Sequence, residues 1–117
     1  MKKVLCVDDS PEMLAALVEM LQADFIVVGA LSSGAAALAE VAALQPDIIV
    51  LDIELGDMSG FLVAERLRDS GCRAKIVFVS LHEGINFVNA ARDMGAAGFV
   101  GKSRIYHDLV DTLLKVA

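Results

Sequence analysis

Short apolar runs alternate along this chain with longer stretches in which apolar residues recur every three or four positions. The first pattern predicts buried strands and the second amphipathic helices. Residues 3–7 form the first run, which stops at Asp8-Asp9-Ser10-Pro11. Ser10 can cap a helix, and Pro11 suits a first turn, where a missing amide hydrogen costs nothing. Leu14, Leu17, Val18 and Leu21 then supply one apolar face. Residues 25–30 read as a second strand, and Ser33-Gly34 opens an alanine-rich helix that Pro46 ends. Residues 48–51 are apolar without interruption and lead to Asp52, as in a strand covered by helices on both faces. Gly56 and Gly60 bracket a turn before a helix carrying Phe61, Leu62, Ala64 and Leu67. A fourth strand over 76–79 ends at Ser80, and a helical pattern follows over 85–94. A short strand over 97–100 and a final helix over 106–116 complete the chain.

Five strands alternating with five helices predict an α/β domain with a parallel sheet between two helical layers. The expected form is the flavodoxin-like, doubly wound five-stranded sheet in the order 2-1-3-4-5. These elements occupy residues 1–117, so a single domain without internal repeat, linker or effector domain is expected.

Composition adds exclusions. The chain is 56% hydrophobic, enough to fill a core without disulfides or a structural metal. Cys6 lies in an apolar run and reads as core, while Cys72 follows Gly71 in a loop, and the two lack metal-site or redox-pair spacing. Both fit a reducing cytoplasm. A formal charge of −6 argues against direct nucleic-acid binding by this domain, because no basic stripe is available to neutralise phosphates. No run reaches membrane-spanning length and no leader pattern is visible, so a soluble cytoplasmic domain with no membrane contact is expected.

The polar residues matter for where they fall. All strands of a parallel sheet deliver their carboxyl ends to one edge. Asp8 and Asp9 end the first strand, Asp52 the third, Ser80 the fourth and Lys102 the fifth. The steps from Asp9 to Asp52, Ser80 and Lys102 are 43, 28 and 22 residues, which fits two strand–helix units and then one each. Three carboxylates, a hydroxyl and an ammonium thus collect where such folds bind ligands. Carboxylates so close repel unless positive charge sits among them. Magnesium suits an all-oxygen set and pairs readily with phosphate, whereas zinc or copper would call for His or Cys. Asp52, on a central strand, is the best nucleophile, since carboxylates accept phosphoryl groups as aspartyl phosphates. Lys102 would neutralise the transferring group, Ser80 would donate to one of its oxygens, and Asp8 and Asp9 would hold the metal.

This set resembles bacterial response-regulator receiver domains, and the resemblance covers the whole chain. Asp8-Asp9, Asp52 with Gly60 eight residues on, Ser80, Phe99 and Lys102 match the family's motif, and residues 95–102 look like the subgroup with a C-terminal helix-turn-helix DNA-binding domain. The resemblance implies phosphotransfer to Asp52 from a sensor histidine kinase or phosphotransfer protein. It implies magnesium held by the side chains of Asp9 and Asp52 and the backbone carbonyl of Glu54. Ser80 would then move inward, Phe99 would turn into the vacated space, and the face formed by the fourth helix, fifth strand and fifth helix would change shape. A phosphorelay switch acting on a transcriptional effector is implied, with a homodimer left open.

Several positions depart from the family pattern. Ser103 stands where Pro is common, which predicts a trans bond and a looser loop; Gly56 also replaces a common Pro. Glu54 adds a carboxylate beside the acceptor and Leu81 is bulky after Ser80, so both are expected to tune access. His82 reads as a surface loop residue, and Ile85 and Phe87 as reaching the output face. Competing readings are a stand-alone docking receiver, a metal-dependent phosphohydrolase, and an interaction module that is never phosphorylated. Short loops disfavour the second and the intact acceptor set disfavours the third.

Overall fold

The computed structural model describes residues Met1–Ala117, in which strands and helices alternate. They are β1 (Lys3–Val7), α1 (Pro11–Leu21), β2 (Ile26–Leu31), α2 (Gly34–Leu44), β3 (Ile48–Asp52), α3 (Gly60–Asp69), β4 (Lys75–Ser80), α4 (Ile85–Asp93), β5 (Gly98–Gly101) and α5 (Ile105–Val116). The sheet order is β2-β1-β3-β4-β5 and every pairing is parallel, as the alternation of patterns predicted.

Each inner strand sends alternate side chains to opposite faces. Val4, Cys6, Val50, Val77 and Val79 meet Leu17 and Leu21 of α1 and Leu109 and Leu113 of α5. Leu5, Val7, Ile49, Leu51 and Phe78 meet Val41 of α2, Val63 and Leu67 of α3 and Ala91 of α4. Two apolar layers therefore sandwich the sheet, and every residue of β3 is buried. That explains its uninterrupted apolar sequence.

Boundaries shift by a residue in places. Phe25 lies in the turn between α1 and β2 rather than in β2, its amide bonded to the Leu21 carbonyl at 2.9 Å and its ring buried in the layer shared with α1 and α5. A 3-10 turn, Lys102–Arg104, separates β5 from α5. No helix is long and apolar enough to cross a membrane.

Helix starts differ along the chain. Ser10, Ser33 and Ser59 cap α1, α2 and α3, each hydroxyl accepting an amide hydrogen of the first turn. Helices α4 and α5 have no side-chain cap. Asp57 adds a second anchor to α2, accepting from the amides of Gly34 and Ala35 at 3.0 Å each. Those bonds hold its carboxyl below the usual range.

Candidate functional site

The strand order reverses direction at β1, whose neighbours are β2 and β3. At such a point the connections leave toward opposite faces and open a crevice at the carboxyl edge. Asp8 and Asp9 follow β1 there, and Asp52 ends β3. One oxygen from each of these three residues lies within 4.8 Å of the others.

Backbone geometry fixes the acids. Asp8 accepts from the Ser10 amide at 2.9 Å, and Asp52 accepts from the Glu54 amide at 3.2 Å. Gly60, the first residue of α3, packs against the end of β3; its amide donates to the Ile53 carbonyl at 2.6 Å. A Cβ at Gly60 would run into the Asp52 carbonyl oxygen, so only glycine lets α3 start so close. Gly56 has a φ of +80°, which proline cannot adopt.

Lys102 reaches back from the 3-10 turn, its Nζ 2.9 Å from Asp8 Oδ2 and 3.2 Å from Asp52 Oδ2. Burial opposes its charge, but Asp8 and Asp52 outweigh burial and raise its pKa. Asp52 is pushed up to about 6, first by burial and then by Asp8, with Lys102 pulling the other way. The site thus holds more negative charge than one ammonium offsets. Asp8 Oδ2 is buried and, beyond its ion pair with Lys102, has no aligned hydrogen-bond donor. A clustered, under-compensated set of carboxylate oxygens fits a hard divalent cation.

A cavity of about 300 Å³ opens over the acids, lined by Asp9, Ser10, Asp52, Glu54, Gly56, Leu81 and Lys102. A larger cavity, about 570 Å³, lies at the opposite edge among Gln45, Pro46, Ser70 and Lys75, away from every carboxylate of the cluster.

Residues 4–114 match the family described as the response regulator receiver domain. The chain belongs to that family. It is 31% identical over 117 residues to an uncharacterised transcriptional regulatory protein, YvfU, of Bacillus subtilis, across 98% of this receiver and 58% of that protein. It is 36% identical over 104 residues to a protein-glutamate methylesterase/protein-glutamine glutaminase of Syntrophomonas wolfei, across 86% of this receiver and 30% of that protein. The receiver therefore spans little more than half, or less, of these relatives. The signal receiver domain of the NarL response regulator from Mycobacterium tuberculosis superposes with a TM-score of 0.89 at 31% identity, covering 97% of this chain and 94% of that one.

The receiver fold brings Asp8, Asp9, Asp52 and Lys102 into one cluster, with Glu54 and Leu81 at its mouth. Ser80 is buried at the end of β4, its Oγ accepting from the His82 amide at 2.9 Å. Phe99 lies outside this cluster. It is half-buried on β5, in register with Phe78, and packs on the α2–α3–α4 face. Cys6 is core, its thiol pushed up to about 12 by burial and then by Asp8.

Three contacts had no signal in the sequence. Glu54, expected as a carboxylate beside Asp52, pairs with Nε2 of His82, and the His82 ring stacks on Phe87 with centroids 4.9 Å apart. Ser103 is bound to Glu83 through both its amide and its hydroxyl. The bond before Ser103 is trans, as expected, but the loop expected to be looser is tied. The Glu54–His82 and Glu83–Ser103 contacts each join two loops, and spacing along a chain says nothing about which loops meet.

Proposed function

We propose that this receiver is a magnesium-dependent phosphorelay switch that takes a phosphoryl group onto Asp52 from a sensor histidine kinase or a histidine phosphotransfer protein. The observation that carries the reading is Lys102 held between Asp8 and Asp52 at the crevice, beside the Asp9 carboxylate. An Asp52 carboxylate oxygen attacks the phosphorus of the phosphohistidine. A new O–P bond forms and the P–N bond breaks, its electron pair returning to the imidazole, which takes up a proton. With a pKa near 6, Asp52 is mostly ionised at neutral pH and able to attack. Lys102 turns toward a phosphoryl oxygen and offsets its charge, and the Ser80 hydroxyl donates to another. Magnesium would be held by Asp9, Asp52 and the Glu54 carbonyl, with Asp8 acting through water, and would supply further positive charge against those oxygens.

Glu54 and Leu81 tune access, since both line the mouth of the cavity and Leu81 is 75% exposed. The new phosphate gives Ser80 a contact that it lacks beforehand, and Phe99 follows by turning into the space that Ser80 leaves. The resulting change in the α4–β5–α5 face controls an output. Transcription is the output best supported, because the glycine-rich run into Lys102 matches the DNA-binding subgroup and YvfU is a transcriptional regulatory protein.

Incubation with magnesium and acetyl phosphate, followed by intact-mass measurement, tests the reading. A base-labile adduct on the wild type that is absent from Asp52→Asn is expected. Robust labelling of Asp52→Asn would remove Asp52 as the sole acceptor. A folded, magnesium-binding protein that takes label from no donor would leave only the interaction-module reading. A titration with magnesium alone, in which Asp9→Asn weakens binding, tests the metal separately.

A further inference from the structure

Lys102 stands at the start of a turn whose geometry is set by a residue on a different loop. Glu83 lies between β4 and α4, three residues past Ser80. Its carboxylate accepts from the Ser103 amide at 3.2 Å and from the Ser103 hydroxyl at 2.8 Å. The same carboxylate lies across Gly101, where an added Cβ would run into it. Glu83 therefore touches the residues on both sides of Lys102. Its negative charge also sits by the amino end of the turn leading into α5, where a carboxylate is favoured.

We propose that Glu83 and Ser103 form a clasp that positions Lys102 at the acceptor and makes the Ser80 loop and the Lys102 turn move together; the positioning half of this rests on Asp52 being the acceptor. Two features of the sequence make the clasp possible. Gly101 leaves room for the carboxylate, and Ser103 brings an amide hydrogen that proline would lack. A bidentate grip by an ionised acceptor fixes the direction of the Ser103 backbone, and hence of the Lys102 stem. On the other side, the amide of His82, one residue before Glu83, donates a hydrogen bond to the Ser80 Oγ. A displacement of Ser80 is then passed through His82 and Glu83 to Ser103. Glu83 acts here as a positioning residue and touches no reacting atom.

The test compares Glu83→Ala, Ser103→Ala, the double variant and Glu83→Gln with the wild type. Labelling rates with magnesium and acetyl phosphate should fall roughly three- to tenfold in Glu83→Ala, since small misplacements of a catalytic group have effects of this size or larger. Ser103→Ala should fall less, having kept its amide donor, and the double variant should be no slower than Glu83→Ala. Glu83→Gln, with one carbonyl oxygen left to accept, should recover part of the rate, while magnesium affinity stays unchanged throughout. Unchanged labelling in Glu83→Ala, or effects that multiply in the double variant, would overturn the clasp. NMR relaxation dispersion on the unphosphorylated protein gives a second readout. Residues 81–84 and 102–104 should share one exchange rate in the wild type and separate in Glu83→Ala; different rates in the wild type would sink the coupling. If the wild type takes no label, the acceptor reading fails, and the exchange rates alone decide the clasp.

Discussion

Helices α3 and α4 flank the same edge of the sheet, one following Asp52 and the other following Ser80. Helix α3 begins on the Ser59 cap and buries Gly60, Val63, Ala64 and Leu67. Helix α4 begins without a side-chain cap and buries only Ala91. Glycine contact locks the first residue of α3 against the acceptor strand, whereas the loop before α4 is held by side-chain contacts of His82 and Glu83. Exposed polar contacts of this kind are each worth about 1 kcal/mol. On the proposed reading, one unit is rigid where the nucleophile is held, and its neighbour is weakly held where the change of shape begins. Segments that move in switches come from the least stable part of a fold, and α4 has the construction of such a segment.

The sharpest contrast should come from chemistry. Asp52→Asn is expected to abolish labelling, whereas Ser80→Ala should still label, at a rate lower by roughly tenfold for one lost hydrogen bond of about 1.4 kcal/mol. Chemical shifts across α4 should then respond to phosphate in the wild type and stay nearly still in Ser80→Ala. Equal loss of labelling in both variants would erase the distinction between acceptor and responder.

Core truncation comes next. Leu67→Ala in α3 should destabilise by about 2–5 kcal/mol in urea unfolding. Val88→Ala in the half-buried part of α4 should lie under about 1 kcal/mol. Similar values for the two would mean that α4 is anchored as firmly as α3.

The acceptor's own charge gives a smaller, pH-dependent effect. Asp52 has a folded pKa of about 6 against an ordinary 3.8, so the fold holds its proton more tightly than the unfolded chain does. The resulting cost is complete above about pH 6 and disappears below 3.8. In chelator at pH 7.5, Asp52→Asn should therefore melt a few degrees above the wild type, and the gap should close as the pH falls through 6. A gap that widens on acidification would show that Lys102 overcompensates the cluster.

Caps supply the smallest difference. Ser59→Ala should cost about 1 kcal/mol. Gly84→Asp should add only a few tenths of a kcal/mol while slowing amide exchange at the start of α4. No change in α4 exchange would mean that its missing cap has no part in its mobility.

Much of this was legible in the chain because local pattern and tertiary need coincide. The buried run before Asp52 has one reading, since a strand covered on both faces admits no polar residue. Asp8, Asp9, Asp52 and Lys102 could be joined because parallel topology sends every strand end to one edge. Phe25 read as strand because a buried apolar residue in the turn before a strand looks the same in sequence as the strand's first residue. The tied state of Ser103 was opposite to expectation, because replacing proline loosens a loop only if the freed amide finds no partner.

By itself the sequence determined the strand–helix alternation, the parallel sheet and the identity of the acidic edge, which follow from periodicity and right-handed connection; the order β2-β1-β3-β4-β5 was the expected form among doubly wound sheets. Only the tertiary structure decided what the side chains at that edge do to one another. It set Lys102 between Asp8 and Asp52, drew Glu54 aside to His82, and fastened Glu83 to Ser103. Such choices depend on distances of a few ångströms between loops far apart in the chain, and residue order does not encode them locally.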